Sequence, residues 1–377
     1  MKKRILALVL AGTLLAATGC AKSNGKGSTR NTASAEAANY KASDYVTLGK
    51  YNGVTVTLTK TYSDDDKAVK SYENTLIKNA SGSYDKDPSQ KTVKKDSIVN
   101  VDYKGIKDGK AFDGGTDSDV TINVAKNSEA VKGTNYIDGF SKGLVGAKVG
   151  STVSSKVTFP SNYQASGLAG KTVIFQFKVN YICKKVTADT VSTEYLKKNF
   201  SVATKKAFFD YAKKSLQKQN KKDKDTEISS LVSDAVVKSS KIKSYPKGLI
   251  DSRMASNKAM YKAQYFSDGM TWDDFYKQLN VTEEQFNKIM KNAIKDDLKN
   301  ELIFSAVAEK EKIKFDQAGY DKYLKNLMTM NSVSDESTFY KKYGSSAAEG
   351  KSYLQRMYVV NKALKFCIKN AVVKPKA

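Results

Sequence analysis

Histidine is absent from all 377 residues, and cysteine occurs only three times. Without an imidazole there is no Ser-His or Cys-His nucleophilic pair and no His-ligated zinc, and three scattered cysteines cannot build a four-cysteine metal site. No cofactor and no metal are expected. Acidic residues are also in short supply: 39 Asp and Glu stand against 64 Lys and Arg, a formal charge of +25. Beyond the first twenty residues the lysines run from Lys22 to Lys376 rather than gathering in one stripe, and no recognition-helix or RNA-binding signature occurs, so nucleic acid is not an expected partner. Ser-x-x-Lys at Ser215 and Ser240 lacks any Ser-Asp-Asn or Lys-Thr-Gly companion, which removes a penicillin-binding reading. What is present is ordinary for a folded protein: 40% hydrophobic and 27% charged residues exclude disorder throughout. The length predicts two or three domains.

Met1-Lys2-Lys3-Arg4 is a basic start, Ile5 to Thr18 is apolar and too short for a comfortable spanning helix, and Ala17-Thr18-Gly19 puts small residues before Cys20. This resembles a bacterial lipoprotein signal, which implies cleavage of residues 1–19, a diacylglycerol on the Cys20 thiol and a place on the extracytoplasmic face of the cell membrane. An ordinary secretory signal with an incidental cysteine is the alternative. Residues 20–44 are mostly Ser, Ala, Asn, Gly and Lys and are expected to be a flexible tether. A lysine-rich surface beside anionic headgroups or wall polymers gains sequence-independent attraction.

Residues 45–91 are expected to form an N-terminal segment. Tyr45 to Leu58 alternates and is β-branched, predicting a strand pair around a turn; a helix follows from Ser63-Asp64-Asp65-Asp66, with Val69, Tyr72, Leu76 and Ile77 on one face; Gly82 to Lys91 predicts a loop. Residues 92–186 predict an α+β domain. Its strands are placed at Ser97 to Tyr103, Val120 to Val124, Thr152 to Phe159 and Thr172 to Ile182, with a turn at Gly105 to Gly109 and one short helix near Ile137 to Leu144. Such a sheet, curled around a helix, leaves an apolar cleft between them.

Val99-Asn100-Val101-Asp102-Tyr103-Lys104-Gly105, Asp108-Gly109-Lys110-Ala111-Phe112-Asp113-Gly114-Gly115, Tyr136-Ile137-Asp138-Gly139-Phe140, Gly143-Leu144-Val145-Gly146, Phe159-Pro160, Tyr163, Leu168-Ala169-Gly170-Lys171 and Phe175 follow in order. Together these resemble the FKBP-type peptidyl-prolyl isomerase domain, in the version found inside trigger factor. The resemblance extends through Tyr245-Pro246-Lys247-Gly248-Leu249-Ile250, Met270-Thr271-Trp272-Asp273-Asp274-Phe275 and Leu302 to Ile313, over about residues 45 to 370. No Gly-Phe-Arg ribosome-docking signature precedes Tyr45, so a ribosome partner is not carried over. The family resemblance implies a cleft lined by Tyr103, Phe112, Ile137, Phe140, Tyr163 and Phe175, with Asp113 as the carboxylate at its edge. Core packing is the alternative for Phe112, Phe140 and Phe175, and a turn-capping role for Asp113. Asp113, Asp117 and Asp119 lack the glycine and glutamate of a calcium loop. Ala125 to Asn135 is longer than the family usually has there, and it feeds the floor of the cleft.

Residues 187–377 predict helices that resemble the trigger factor chaperone body. Ile228, Leu231, Val232, Ala235 and Val236 fall on one helical face, as do Phe286, Ile289, Met290, Ala293, Ile294 and Leu298; Thr282 offers an N-cap. Met254, Met260, Met270, Met290, Met328, Met330 and Met357 lie here, and thioethers suit surfaces that receive varied apolar segments, with core packing as the alternative. Cys183 and Cys367 are left open between pairing and free thiols. The function expected is a membrane-tethered extracytoplasmic folding factor that isomerises X-Pro bonds and binds unfolded or proline-containing polypeptides. The alternative is a non-catalytic chaperone or binding lipoprotein that keeps the fold without isomerase activity.

Overall fold

The structure is a computed structural model that describes residues 40–344 and 346–376, without the side chains of residues 260, 263 and 264. The expected signal segment, Cys20 as the expected lipidation site and most of the expected tether lie outside the described residues. In chain order the elements are α1 (Ala42–Tyr45), β1 (Val46–Thr47), β2 (Thr55–Thr57), α2 (Asp66–Ser81), β3 (Tyr84–Lys86), β4 (Ile98–Lys107), β5 (Lys110–Asn123), β6 (Ser128–Glu129), β7 (Thr152–Thr158), β8 (Thr172–Lys185), α3 (Thr193–Phe200), α4 (Lys205–Ser239), β9 (Lys241–Ile242), α5 (Leu249–Tyr265), α6 (Trp272–Leu279), α7 (Glu283–Lys310), α8 (Gln317–Met330), α9 (Glu336–Lys341), α10 (Ala347–Lys369) and β10 (Val372–Lys374). This is an α+β chain: an antiparallel sheet region followed by a largely helical region. Two compact units form, one from residues 63–219 and one from residues up to 62 with residues 220 onward.

In the sheet unit, β8 is the central strand. Val173, Phe175, Phe177 and Val179 point to one buried face while their neighbours point out. Along one edge β8 pairs antiparallel with β4, which in turn pairs with β5 and then β6; along its other edge it pairs first with β7 and then with β3. The core is Val99, Val101, Ile122, Phe140, Leu144, Val157 and the inward residues of β8. The helix expected near Ile137 to Leu144 is a single 3₁₀ turn at Lys142–Leu144, preceded by turns. The glycines explain the shortfall: Gly139 takes φ +82°, outside the helical region, and Gly143 sits so close to β7 that a Cβ would meet the Ser154 carbonyl. The expected turn at Gly105 to Gly109 is shorter, because β4 runs on to Lys107 and only Asp108 and Gly109 reverse the chain. The expected loop over Gly82 to Lys91 contains β3, which extends the sheet.

Asp65 rather than Ser63 caps α2, accepting from the Ala68 N–H at 2.7 Å. Ile77 of α2 joins Val186, Val191, Leu196 and Phe208 in a second small core of this unit.

In the helical unit, β1 and β2 do not pair with each other. β1 pairs antiparallel with β9, and β2 pairs parallel with β10 near the end of the chain. Residues 40–44, assigned to the tether from composition, are folded here: the Glu309 carboxylate accepts from the Ala42 and Ser43 N–H groups at 2.6 and 3.0 Å, and Tyr40 donates to Glu301 at 2.9 Å. Thr282 and Gln285 form a reciprocal capping box at the start of α7. Phe286, Met290, Ile294 and Leu298 of that helix are buried as their spacing predicts. Met290 and Met328 are buried, whereas Met330 is 60% exposed. Cys183 and Cys367 are both free and buried, and burial pushes each thiol up to about 12.

Candidate active site

The sheet unit carries a continuous run of aromatic rings. Phe140 is its hub: its ring centroid lies 4.2 Å from Tyr136, 5.2 Å from Tyr103, 4.7 Å from Phe175 and 5.0 Å from Phe177. Phe175 continues to Phe112 at 5.8 Å, Phe112 to Phe159 at 6.2 Å, and Phe159 to Tyr163 at 4.6 Å. Most of these pairs are edge-to-face, the arrangement the ring quadrupoles favour. Phe140, Phe159, Phe175 and Phe177 are buried in the core of the sheet unit, so the core-packing alternative describes Phe140 and Phe175 as they stand here; Tyr103, Phe112, Tyr136 and Ile137 are half-buried, and Tyr163 is exposed.

Each ring is placed by a local device. Phe175 and Phe177 project from β8 by strand alternation, and Tyr103 stands opposite Phe177 on β4. Phe112 owes its position to a bulge. Between the pairs Lys104↔Thr116 and Ile106↔Ala111, the single residue Gly105 faces residues 112–115, and Gly114 takes φ +74°. The Phe112 ring folds back over Gly105 and Gly115, where an added Cβ would come within 2.5 and 2.6 Å of it. Phe140 is held from below by Asn127. That residue has φ +49°, accepts from the Ser141 N–H and Oγ at 2.9 Å each, and donates Nδ2 to the Ile137 and Tyr136 carbonyls at 2.8 and 3.2 Å. The long segment at Ala125 to Asn135 closes as a tight turn on β6, with Glu129 N–H donating to the Thr134 carbonyl at 2.8 Å.

Tyr103, Phe112, Phe140 and Phe175 therefore meet directly, Tyr163 joins through Phe159, and Ile137 packs partly buried against the same core. Asp113 does not join them. It is exposed in the bulge of β5, and among the described residues no hydrogen bond or ion pair engages its carboxylate. The Tyr103 hydroxyl has no intramolecular partner among the described residues, and burial, then Asp117, raises its ionisation above the ordinary tyrosine value. It stays a neutral phenol, able to donate. Sequence reasoning overlooked Tyr136, Phe159, Phe177 and Asn127 as parts of this site. Tyr136 and Phe159 stand within motifs already recognised, and Phe177 is two residues from Phe175 on the same strand face; nothing local marks Asn127.

A separate cavity of about 620 Å³ shares Tyr136 with this cluster and has polar walls that include Asp85, Asn100, Asp119, Glu129 and Lys198. Its charged groups are largely engaged within the chain: Asp119 meets Lys198 at 2.8 Å, and Asp85 accepts from the Ser192 N–H at 3.1 Å. Among the described residues no cluster of ligating side chains could hold a metal ion.

Comparison with known proteins agrees with this geometry. Residues 89–180 match the FKBP-type peptidyl-prolyl cis-trans isomerase family, and residues 206–369 match the bacterial trigger factor C-terminus. Among curated relatives, the trigger factor of Caldicellulosiruptor bescii is 24% identical over 89% of this chain and 73% of its own length. That of Agathobacter rectalis is 26% identical over 82% and 64%, and that of Limosilactobacillus fermentum 29% identical over 70% and 58%. The chain spans between 58% and 73% of the length of these relatives. The chain is thus trigger factor-like, with a segment that matches the FKBP-type isomerase family followed by one that matches the trigger factor C-terminus.

Proposed function

We propose that the protein is a lipid-anchored, extracytoplasmic folding factor that catalyses cis/trans isomerisation of X-Pro bonds and holds unfolded polypeptides. The observation that carries the catalytic part is the aromatic enclosure around Phe140 and Phe175. An X-Pro amide rotates against a barrier of roughly 18–20 kcal/mol because it must give up resonance. The twisted amide has less charge separation than the planar one, so a dry aromatic surface that strips water from the planar form favours the rotated form. No acid, base or nucleophile is needed, which suits a chain without histidine. Proline would seat on Phe140 and Phe175 between Phe112 and Tyr103, and the Tyr103 hydroxyl would donate to the carbonyl of the preceding residue. Asp113, exposed in its bulge, would meet only the outer part of the substrate.

The anchor reading is supported by residues 1–20 of the sequence alone, and the holding of clients by the likeness to the trigger factor C-terminus. The second reading, a binding protein that retains the fold without turnover, is favoured by two observations: the family's short helix is here one 3₁₀ turn, and Asp113 stands apart from the rings. A protease-coupled proline-isomerisation assay on the purified chain separates the two. Acceleration above the uncatalysed rate is expected, and its absence leaves the binding protein.

A further inference from the structure

Within the helical unit, α8 and α10 pack together through Gly319, where a Cβ would collide with the Tyr358 hydroxyl. Alongside that close approach runs a groove of about 590 Å³. Tyr323, Leu327, Met330 and Tyr358 give it apolar walls, and Met330 is the most exposed large hydrophobic side chain among the described residues. Asn361 also lines it. This asparagine is only 7% exposed, and its Oδ1 has no hydrogen-bond partner. A buried amide oxygen is normally paired, so this one is an acceptor left for something that enters. The rim carries Lys322, Lys362 and Lys365, and no acidic residue lines the groove. Lys362 is engaged by Asp316 at 2.7 Å and by the Lys314 carbonyl at 2.8 Å, whereas Lys322 and Lys365 have no ion pair among the described residues.

We infer that this groove takes apolar segments of unfolded polypeptide that carry acidic residues beside their apolar side chains, and that it discriminates against lysine-flanked segments. The inference rests on the client-holding part of the proposed function and names the substrate class. Met330 and the tyrosines adapt to varied apolar side chains. An extended segment brings free backbone N–H groups toward the unpaired Asn361 carbonyl. Its carboxylates meet Lys322 and Lys365, while lysines in the same places would meet like charge, the nearby Asp316 carboxylate being taken up by Lys362 and the Tyr358 hydroxyl.

The test measures fluorescence anisotropy of two short labelled peptides on the full chain. Both share a Leu- and Phe-bearing centre; one is flanked by glutamates, the other by lysines. The glutamate peptide is expected to bind about tenfold tighter, with the preference shrinking at high salt. Lys322→Glu with Lys365→Glu should cut that preference about fivefold. Lys247→Glu with Lys288→Glu, which changes net charge equally at exposed sites outside the groove, should leave it within about twofold. Met330→Asp should weaken the glutamate peptide in an otherwise unaltered chain. Equal affinity for the two peptides overturns the inference, as does an equal loss from both lysine pairs, which would trace the preference to overall charge. Light scattering of a denatured client, recorded alongside, keeps the two levels apart. Suppressed aggregation without peptide preference overturns the groove alone; no suppression and no peptide binding removes the client-holding reading together with it.

Discussion

Asn127 accepts two hydrogen bonds from Ser141 through the same oxygen, one from the backbone N–H and one from the hydroxyl, each at 2.9 Å. Phe140, the last residue of the recognised Tyr136-Ile137 motif, directly precedes this anchor and is the ring on which the aromatic cluster converges. Asn127 replaces the positioning work of a longer helix. A chain with only one 3₁₀ turn at this point fixes its hub aromatic through a side-chain amide that also satisfies two backbone carbonyls.

Asn127→Ala removes all four of these bonds; the Tyr136 carbonyl and the Ser141 N–H lose this partner, while the Ile137 carbonyl keeps the Phe140 N–H and the Ser141 hydroxyl keeps the Val124 carbonyl. The expected cost to the sheet unit is about 2–4 kcal/mol, at roughly 1 kcal/mol per net hydrogen bond. Amide hydrogen exchange at Phe140 and Ser141 should accelerate and isomerisation should fall in parallel. Unaltered exchange at these two amides would show that something else holds the ring.

The Phe112 ring depends on two missing side chains. Gly105→Ala would place a methyl 2.5 Å from Phe112 and 2.9 Å from Phe175, both stiff rings. An overpacking cost of about 1–3 kcal/mol and a displaced Phe112 are expected. Isomerisation of an X-Pro peptide should drop while circular dichroism stays near that of the unaltered chain. Full activity in Gly105→Ala would mean that Phe112 is not part of the cleft.

Glu301 governs the acid stability of the helical unit. Its burial alone would raise its carboxyl, but Arg253 at 2.6 Å and Arg356 at 2.9 Å pull it down from 4.5 to about 2. A carboxyl with a depressed folded value contributes stability that is complete above its unfolded value and is lost as pH falls through the folded one. The fluorescence of the single tryptophan, Trp272 in this unit, should therefore report progressive destabilisation between about pH 4.5 and 2. Glu301→Gln should cost about 3–5 kcal/mol at neutral pH, because it leaves two guanidinium groups buried without a counter-charge, and should flatten the acid dependence. An identical acid midpoint in the variant would contradict this assignment.

The anchor reading is tested by fractionation. With Cys20→Ser the protein should leave the membrane fraction or retain residues 1–19, and the mature mass should lose its lipid. An unchanged mass and distribution would eliminate it.

Legibility in the sequence followed range of interaction. The strand at Thr172 to Ile182 and the Thr282 cap at the start of α7 were legible, because both are local patterns. Tyr103, Phe112, Phe140, Tyr163 and Phe175 could be named as site residues because ordered short motifs resemble a known family, whereas Tyr136, Phe159 and Phe177 were not named as such. Long-range partners were not legible. Tyr40 and Glu301 stand 261 positions apart, so the composition of residues 20–44 gave no sign that its end is folded. β1 and β2 look like a hairpin, yet their partners β9 and β10 follow far down the chain, and alternation carries no information about which strand will pair. Asn127 is one of many polar residues in a loop, and only its left-handed backbone and four bonds set it apart.

The central claim is that rotation of an X-Pro amide is accelerated on the rings around Phe140, with the Tyr103 hydroxyl as the polar handle. The most direct measurement is kcat/KM for a proline-containing peptide with the unaltered chain, Tyr103→Phe and Phe175→Ala. Loss of one hydrogen bond should lower the value about fivefold to tenfold in Tyr103→Phe, and loss of a buried ring should lower it further in Phe175→Ala. Circular dichroism should match in all three. Three equal values, or no acceleration by the unaltered chain over the uncatalysed rate, would contradict the account.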